Sequence, residues 1–412
     1  MAAASFAKGA AGFAHRGALW MAVLIGFSIP ISTALDNLLV AALLLLWIAS
    51  GRYVEKWAVL RANPLVLFPC GLFLLHLAGS LYSVGDGKDV LHALDKASVL
   101  LLIPVLISLA PARDFRDRAL YAFMAAILLT LVLSFLLWMG VVPEGGEDNI
   151  IKGGRQDPTV FKKHITHGTL MAYGAFAFAV LARAAAKPAV KALLAVVAAL
   201  AAFNVLVMVH GRTGQLVLIA LVLCLLFSWL RWRGLLVAAA AGMAIAGTAY
   251  LAPSSSFHGR VTATIVEFKD WQAGKPAQLK NMRLESWGNS VKIVREHPLV
   301  GVGTGGFAVA YAKQVEGTSM RALRQPENQY LLATVQLGVV GLAALLALFA
   351  VQWRLASRLA TRADIDLARG LVITMAVGCM FNSFLLDHTE ALFYAWFSGL
   401  LFAGWRPVGE HS

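Results

Sequence analysis

The chain has 412 residues, of which 59% are hydrophobic and only 14% charged, with a formal net charge of +13. A soluble domain carries about 25% charged residues, so this deficit, with repeated apolar runs near 20 residues, excludes an ordinary soluble fold and reads as a polytopic membrane protein. The runs are continuous rather than alternating, which selects helices over a closed barrel. In that setting the positive charge reflects basic cytoplasmic loops and anionic membrane lipids rather than nucleic-acid binding.

Twelve candidate spans follow in chain order: 18–35, 37–50, 64–83, 95–110, 119–140, 167–182, 192–209, 214–230, 234–251, 329–352, 370–386 and 390–405. Lys8 and Arg16 precede the first, which continues past Pro30 into the second, so it reads as an uncleaved first helix rather than a removed signal. The first pair is separated only by Asp36 and Asn37, as in a tight hairpin or a partly re-entrant element. Cys70, Cys224 and Cys379 fall inside apolar runs and read as packing residues.

Loop charge tests this count. With both termini in the cytoplasm, the inner connections hold Arg52, Lys56 and Arg61; Arg113, Arg116 and Arg118; Arg183, Lys187 and Lys191; Arg231 and Arg233; Arg354, Arg358, Arg362 and Arg369; and finally Arg406. Most outer connections are short and poor in Lys and Arg, such as the one from Gly85 to Leu94. Two outer segments, 141–166 and 252–328, are basic, but long translocated loops are exempt from the rule. The chain therefore reads as a single membrane domain, 1–412. An extracytoplasmic cap of amphipathic helices, 252–328, is inserted between the ninth and tenth spans, with a helix expected over 281–296.

Candidate site residues cluster on the outer side. His164 and His167, in KKHITHGT beside Lys162 and Lys163, are either interfacial polar residues or contacts to a phosphate or sugar, and no third ligand completes a zinc site. Arg212, in HGRTGQ, is either a snorkelling arginine or an anion ligand, since a charge beside hydrocarbon needs water or a counter-ion. Arg283, in KNMRLESW, is either solvated or part of the same anion site. The glycines of GVGTGGF, including Gly303, lack the strand–helix context of a dinucleotide fold and form either a turn or an anion-binding nest of amides. Glu327 and Asn328 open the tenth span, where a carboxylate also suits the positive end of a helix. Asp387 and His388 open the twelfth in the same way. A few cations with one or two carboxylates suit a diphosphate substrate attacked by an alcohol.

The segments GRTGQ, REHPLVGVGTGGF, PENQYLLATVQLGVVGL and LLDHTEALFYAWFSGLLFAG, in this order on twelve spans, resemble the bacterial O-antigen ligases and, more broadly, the O-antigen polymerase superfamily. The resemblance implies an all-α, GT-C-like inner-membrane glycosyltransferase with a periplasmic active site. Such enzymes move O-antigen from undecaprenyl diphosphate to lipid A-core oligosaccharide, with no nucleotide sugar, cofactor or metal. It makes Arg212 and Arg283 the essential arginines and Asp387 the acidic position before the last span. Many family members carry histidine at the position of Glu327, so a carboxylate replaces the base here, with His167 or His388 as alternatives. Glu327, Arg212 and Arg283 are then the expected catalytic groups. Asn328, His167, Lys163, Asp387, His388 and Gly303 are the expected substrate contacts, beside the two arginines. A polymerase or protein O-oligosaccharyltransferase of the same superfamily remains open on the sequence, and a twelve-helix transporter is the rival from another class.

Overall fold

The structure, a computed structural model, describes residues 2–146, 149–233, 282–318 and 320–405, with positions 236, 266 and 269 between them. Apart from those positions, the expected ninth span and the first part of the cap, 252–281, lie outside the described residues, as does Arg406. Every regular element among the described residues is helical: α1 (Ala2–Ser28), α2 (Thr33–Ala49), α3 (Tyr53–Ala62), α4 (Leu67–Gly79), α5 (Gly87–Ser98), α6 (Leu102–Ser108), α7 (Arg113–Trp138), α8 (His164–Ala184), α9 (Pro188–Phe203), α10 (Arg212–Leu230), α11 (Met282–Glu296), α12 (Phe307–Gln314), α13 (Gln329–Ala356), α14 (Arg362–Phe381) and α15 (His388–Phe402). The chain is an all-α polytopic membrane protein. Among the described residues seven helices are long and apolar enough to cross a bilayer, or eight if α2 and α3, bent by 112°, count as one.

Two expectations shift. The break between the first two helices falls over residues 29–32, not at Asp36 and Asn37. Ser32 accepts the N–H of Leu35 and caps α2, which carries Asp36 into the interior. The last apolar run becomes α15, whose 15 residues rise only about 22 Å, short of the roughly 30 Å hydrocarbon core. It is apolar all round because it is the axis of the bundle: Thr389 to Phe402 are all buried. Phe397 meets Phe123, Tyr173 and Trp396 with ring centroids 4.7–5.0 Å apart. Trp396 donates to the Ala22 carbonyl, and Tyr394 to Gln352, so the buried polar tips are partnered.

The helices run alternately between two ends. At one end Arg183 of α8, Ser228 of α10 and Arg362 of α14 meet around Asp366. At the other end the starts of α2, α8, α10, α13 and α15 meet the last turn of α14. The cap's α11 and α12 pack on α13 at this second end around Ile293, Val302, Phe307, Tyr311 and Leu332. Gly338, at φ 65°, interrupts α13. The break turns the carbonyls of Val335 and Gln336 to Val302 and Gly303, while Val339 donates to Pro298.

Candidate functional site

The turn before α13 is pinned from three sides. Trp287 of α11 donates its indole N–H to the Pro326 carbonyl at 3.0 Å. The Asn328 side chain accepts from Leu331 N–H at 3.0 Å and donates to the Met380 carbonyl of α14 at 2.9 Å. Between these anchors Glu327 takes φ 51°, a left-handed conformation uncommon for a residue with a side chain. Its carboxylate faces Arg283 of α11, Nη2 to Oε2 3.9 Å, and accepts from Gln325 at 3.3 Å. Arg283 is 45% exposed and Glu327 38%, so the pair is open to solvent and worth at most about 1 kcal/mol. Two of the expected catalytic groups therefore stand together. Asn328 has both ends of its amide in structural bonds and clamps the turn.

Arg212 opens α10 at the same end and is exposed. Its neighbour Thr213 accepts from Asn382 at 2.9 Å, and Asn382 closes the last turn of α14, the turn whose Met380 holds Asn328. One helix end thus braces both the GRTGQ segment and the Glu327 turn. Glycine allows the fit on the other side: a Cβ on Gly214 would lie 2.6 Å from Gly168 of α8.

His167 departs from expectation. It is 3% exposed and pairs with Asn204 at 3.1 Å; Asn204 donates to Ser134, and Ser134 to the Pro158 carbonyl. This chain secures the widened turn Asn204–Met208 that ends α9. Held in that network, His167 is buried rather than presented at the surface, with Nδ1 unpartnered in the protein. Lys163 is exposed at the start of α8.

Gly303 also departs. Its φ is 89° and a Cβ there would lie 2.2 Å from Ser83 Cα. The amides that would line an anion nest are occupied: Gly301 donates to His297, Val302 to Val335, Gly303 to Gln336, Thr304 to Gly79 and Gly306 to Gly303. The glycine segment is a wedge between α4 and the broken α13, with these amides already engaged.

Asp387 occupies the capping position of α15, and burial raises its carboxyl well above the ordinary range. The carboxylates of Glu390 and Glu327 push the same way, and Lys96 opposes them. His388 reaches toward Asp36 at 3.8 Å. Sequence reasoning missed how Lys162 joins this corner. Buried to 8% exposure, it donates to Thr33 at 2.9 Å and Thr389 at 3.1 Å, and lies 3.9 Å from Asp36. Burial lowers its pKa. It also missed α5, whose Asp89, His92 and Lys96 line, with Asp387 and His388, a cavity of about 380 Å³. The signal was present: polar residues at spacings of three and four lie on one helical face.

Residues 196–346 match the family model described as O-antigen ligase. This part of the chain is similar to the O-antigen ligase family. That family's members are membrane glycosyltransferase-like enzymes acting on lipid-linked glycans. The matched segment contains Arg212, Arg283 and Glu327, the residues grouped at this end, while α5 and Asp387 fall outside it. Comparison with curated proteins returns no match. Among solved structures, a chain titled "Structural coordination of polymerization and crosslinking by a peptidoglycan synthase complex" is similar at 16% identity, with TM-score 0.48, over 82% of this chain and 95% of that one.

Proposed function

We propose that the protein is an inner-membrane O-antigen ligase, transferring O-antigen from undecaprenyl diphosphate to lipid A-core oligosaccharide at the periplasmic face. The observation that carries this reading is Glu327 held 3.9 Å from Arg283 on a turn fixed from three sides, within the segment matched to the family. An acceptor hydroxyl attacks the anomeric carbon of the donor's first sugar. The new C–O bond forms as the bond to the diphosphate breaks, and the diphosphate leaves with the electron pair. Glu327 takes the hydroxyl proton, which general-base catalysis makes worth about 10²–10⁴-fold. One displacement inverts the anomeric centre.

Arg212 and Arg283 hold the diphosphate and stabilise the charge growing on it. Arginine suits this role because its planar fork meets two phosphate oxygens. The Arg283–Glu327 pair adds an ordering device. Before the donor arrives the guanidinium masks the carboxylate, and a solvent-exposed pair is cheap to separate. Arrival of the diphosphate draws Arg283 away and leaves Glu327 free to accept a proton.

Purified protein in liposomes, given undecaprenyl-diphosphate glycan and rough lipopolysaccharide, tests the proposal. Transfer to lipid A-core with inversion of the linkage is the expected result. Joining of donor glycans to one another, with none on the core, would make the chain a polymerase instead.

A further inference from the structure

The cavity beside Glu327 has a wall that the diphosphate chemistry leaves unused. The segment GKDVLHALDKAS folds as α5, capped by Asp86, whose carboxylate accepts the Asp89 N–H at 2.8 Å. Asp89, His92 and Lys96 then share one face and look into the cavity. The wedge fixes this wall in place, for a Cβ on Gly305 would lie 2.6 Å from the Asp89 carbonyl. Arg324 and Gln325 line it as well, together with the apolar Leu332, Leu386 and Phe307. Asp387 and His388 complete the rim.

Gln325 joins the two halves of the site. It lines the cavity and also donates to Glu327 at 3.3 Å. Glu327 thus stands between the Arg283 side, suited to diphosphate, and a cavity of about 380 Å³, within the roughly 300–1,000 Å³ usual for small-ligand sites. A lining of polar and apolar residues suits a sugar ring, which offers hydroxyls at its edge and C–H groups on its face. Lys96 and Arg324 line the cavity beside the carboxyls of Asp89 and Asp387, and burial holds Asp387 toward its neutral form, so the two cations outweigh the acids and suit a sugar bearing negative charge.

We infer that this cavity is the acceptor subsite: it seats a sugar of the acceptor oligosaccharide that carries a phosphate or carboxylate, with Lys96 and Arg324 on the anionic group and a hydroxyl delivered to Glu327. The inference rests on the glycan-transfer reading above and deepens it by naming the acceptor's place and charge.

The test uses the full chain in liposomes with undecaprenyl-diphosphate glycan fixed and rough lipopolysaccharide titrated. Lys96→Gln and Arg324→Gln are each expected to raise the acceptor KM about tenfold, with the donor KM within twofold of the parent and Lys96→Arg restoring most of the loss. Dephosphorylated rough lipopolysaccharide distinguishes the anion. If phosphate is the group, the parent loses a similar factor and Lys96→Gln adds nothing further. If a carboxylate is, dephosphorylation changes little while Lys96→Gln still costs tenfold. An unchanged acceptor KM in both variants, or a donor KM that moves in its place, overturns the subsite. If the parent transfers nothing, the glycan-transfer reading fails. Rough lipopolysaccharide binding without donor then decides the cavity: weaker binding to both variants upholds an acceptor subsite, and equal binding overturns it.

Discussion

The two ends of the bundle handle buried charge in opposite ways. At the end crowded with basic connections, Asp366 is enclosed by partners. Arg362 lies 3.5 Å from it, Arg183 3.8 Å, and Ser228 donates at 2.8 Å. Three helices are tied through one saturated carboxylate. At the other end the carboxylates are shared out thinly. Glu327 has one guanidinium at 3.9 Å, Asp387 is crowded by two more acids, and one oxygen of buried Asp36 has no hydrogen bond in the protein. Carboxylates that lack a full set of partners are what the proposed reaction needs at this end, where a substrate would complete them. The contrast separates a structural staple from a site.

The sharpest way to break the comparison is at Glu327. Glu327→Gln keeps the turn's shape but cannot take a proton, so transfer should fall about 10²–10⁴-fold, while Glu327→His should keep a measurable part; quantified glycan transfer by purified variants decides. Arg283→Ala and Arg212→Ala come next. Each should lower transfer about 10²–10³-fold with the protein present in the membrane at parental level, and normal core capping in cells carrying either would remove the arginines from the mechanism.

Asp366→Ala tests the other end. It leaves two half-exposed arginines and Ser228 without their shared acceptor, a loss of about 1–3 kcal/mol visible as earlier thermal unfolding in detergent. Transfer per folded molecule should match the parent, and a selective loss of activity would undo the division between staple and site.

The smallest effect sharpens the contrast through pH. Asp387 binds its proton more tightly folded than unfolded, so between the ordinary carboxylate value of about 4 and about 7 the native state holds more protons. Stability from this group is therefore full below that window and declines as pH rises through it. Asp387→Asn should flatten that part of a melting-temperature profile, and an unaltered slope would place the acid in an ordinary solvated setting.

Much of this was legible in the sequence where one segment carries its own signal. The apolar runs fixed the class of fold, and PENQ before such a run marked a helix start with an acid on it. Arg283 and Trp287 share a short amphipathic segment, so a cap helix facing that start could be expected. Other features depend on partners far along the chain. The amides near Gly303 look available until the break at Gly338 supplies carbonyls to fill them. His167 looks interfacial until Asn204 and Ser134 arrive from two other helices. The clamp that Asn328 forms depends on Met380, which lies far along the chain. The polar face of α5 was readable from spacing alone. It was passed over because a tally of loop charges treats such a segment as a connection and not as a wall.

The break in α13 carries a consequence for recombining this protein with its relatives. A Cβ at Gly338 would sit 2.1 Å from the Leu299 carbonyl, and Val302 and Gly303 donate into the gap that the break opens. The stretch from Pro298 to Gly303 and the stretch from Val335 to Val339 are therefore halves of one joint, inherited together or not at all. Chimeras cut between them should fail to assemble, whereas exchanges that carry both halves across should yield intact hybrids, so the natural unit of swapping here is a piece of cap together with the middle of a membrane helix.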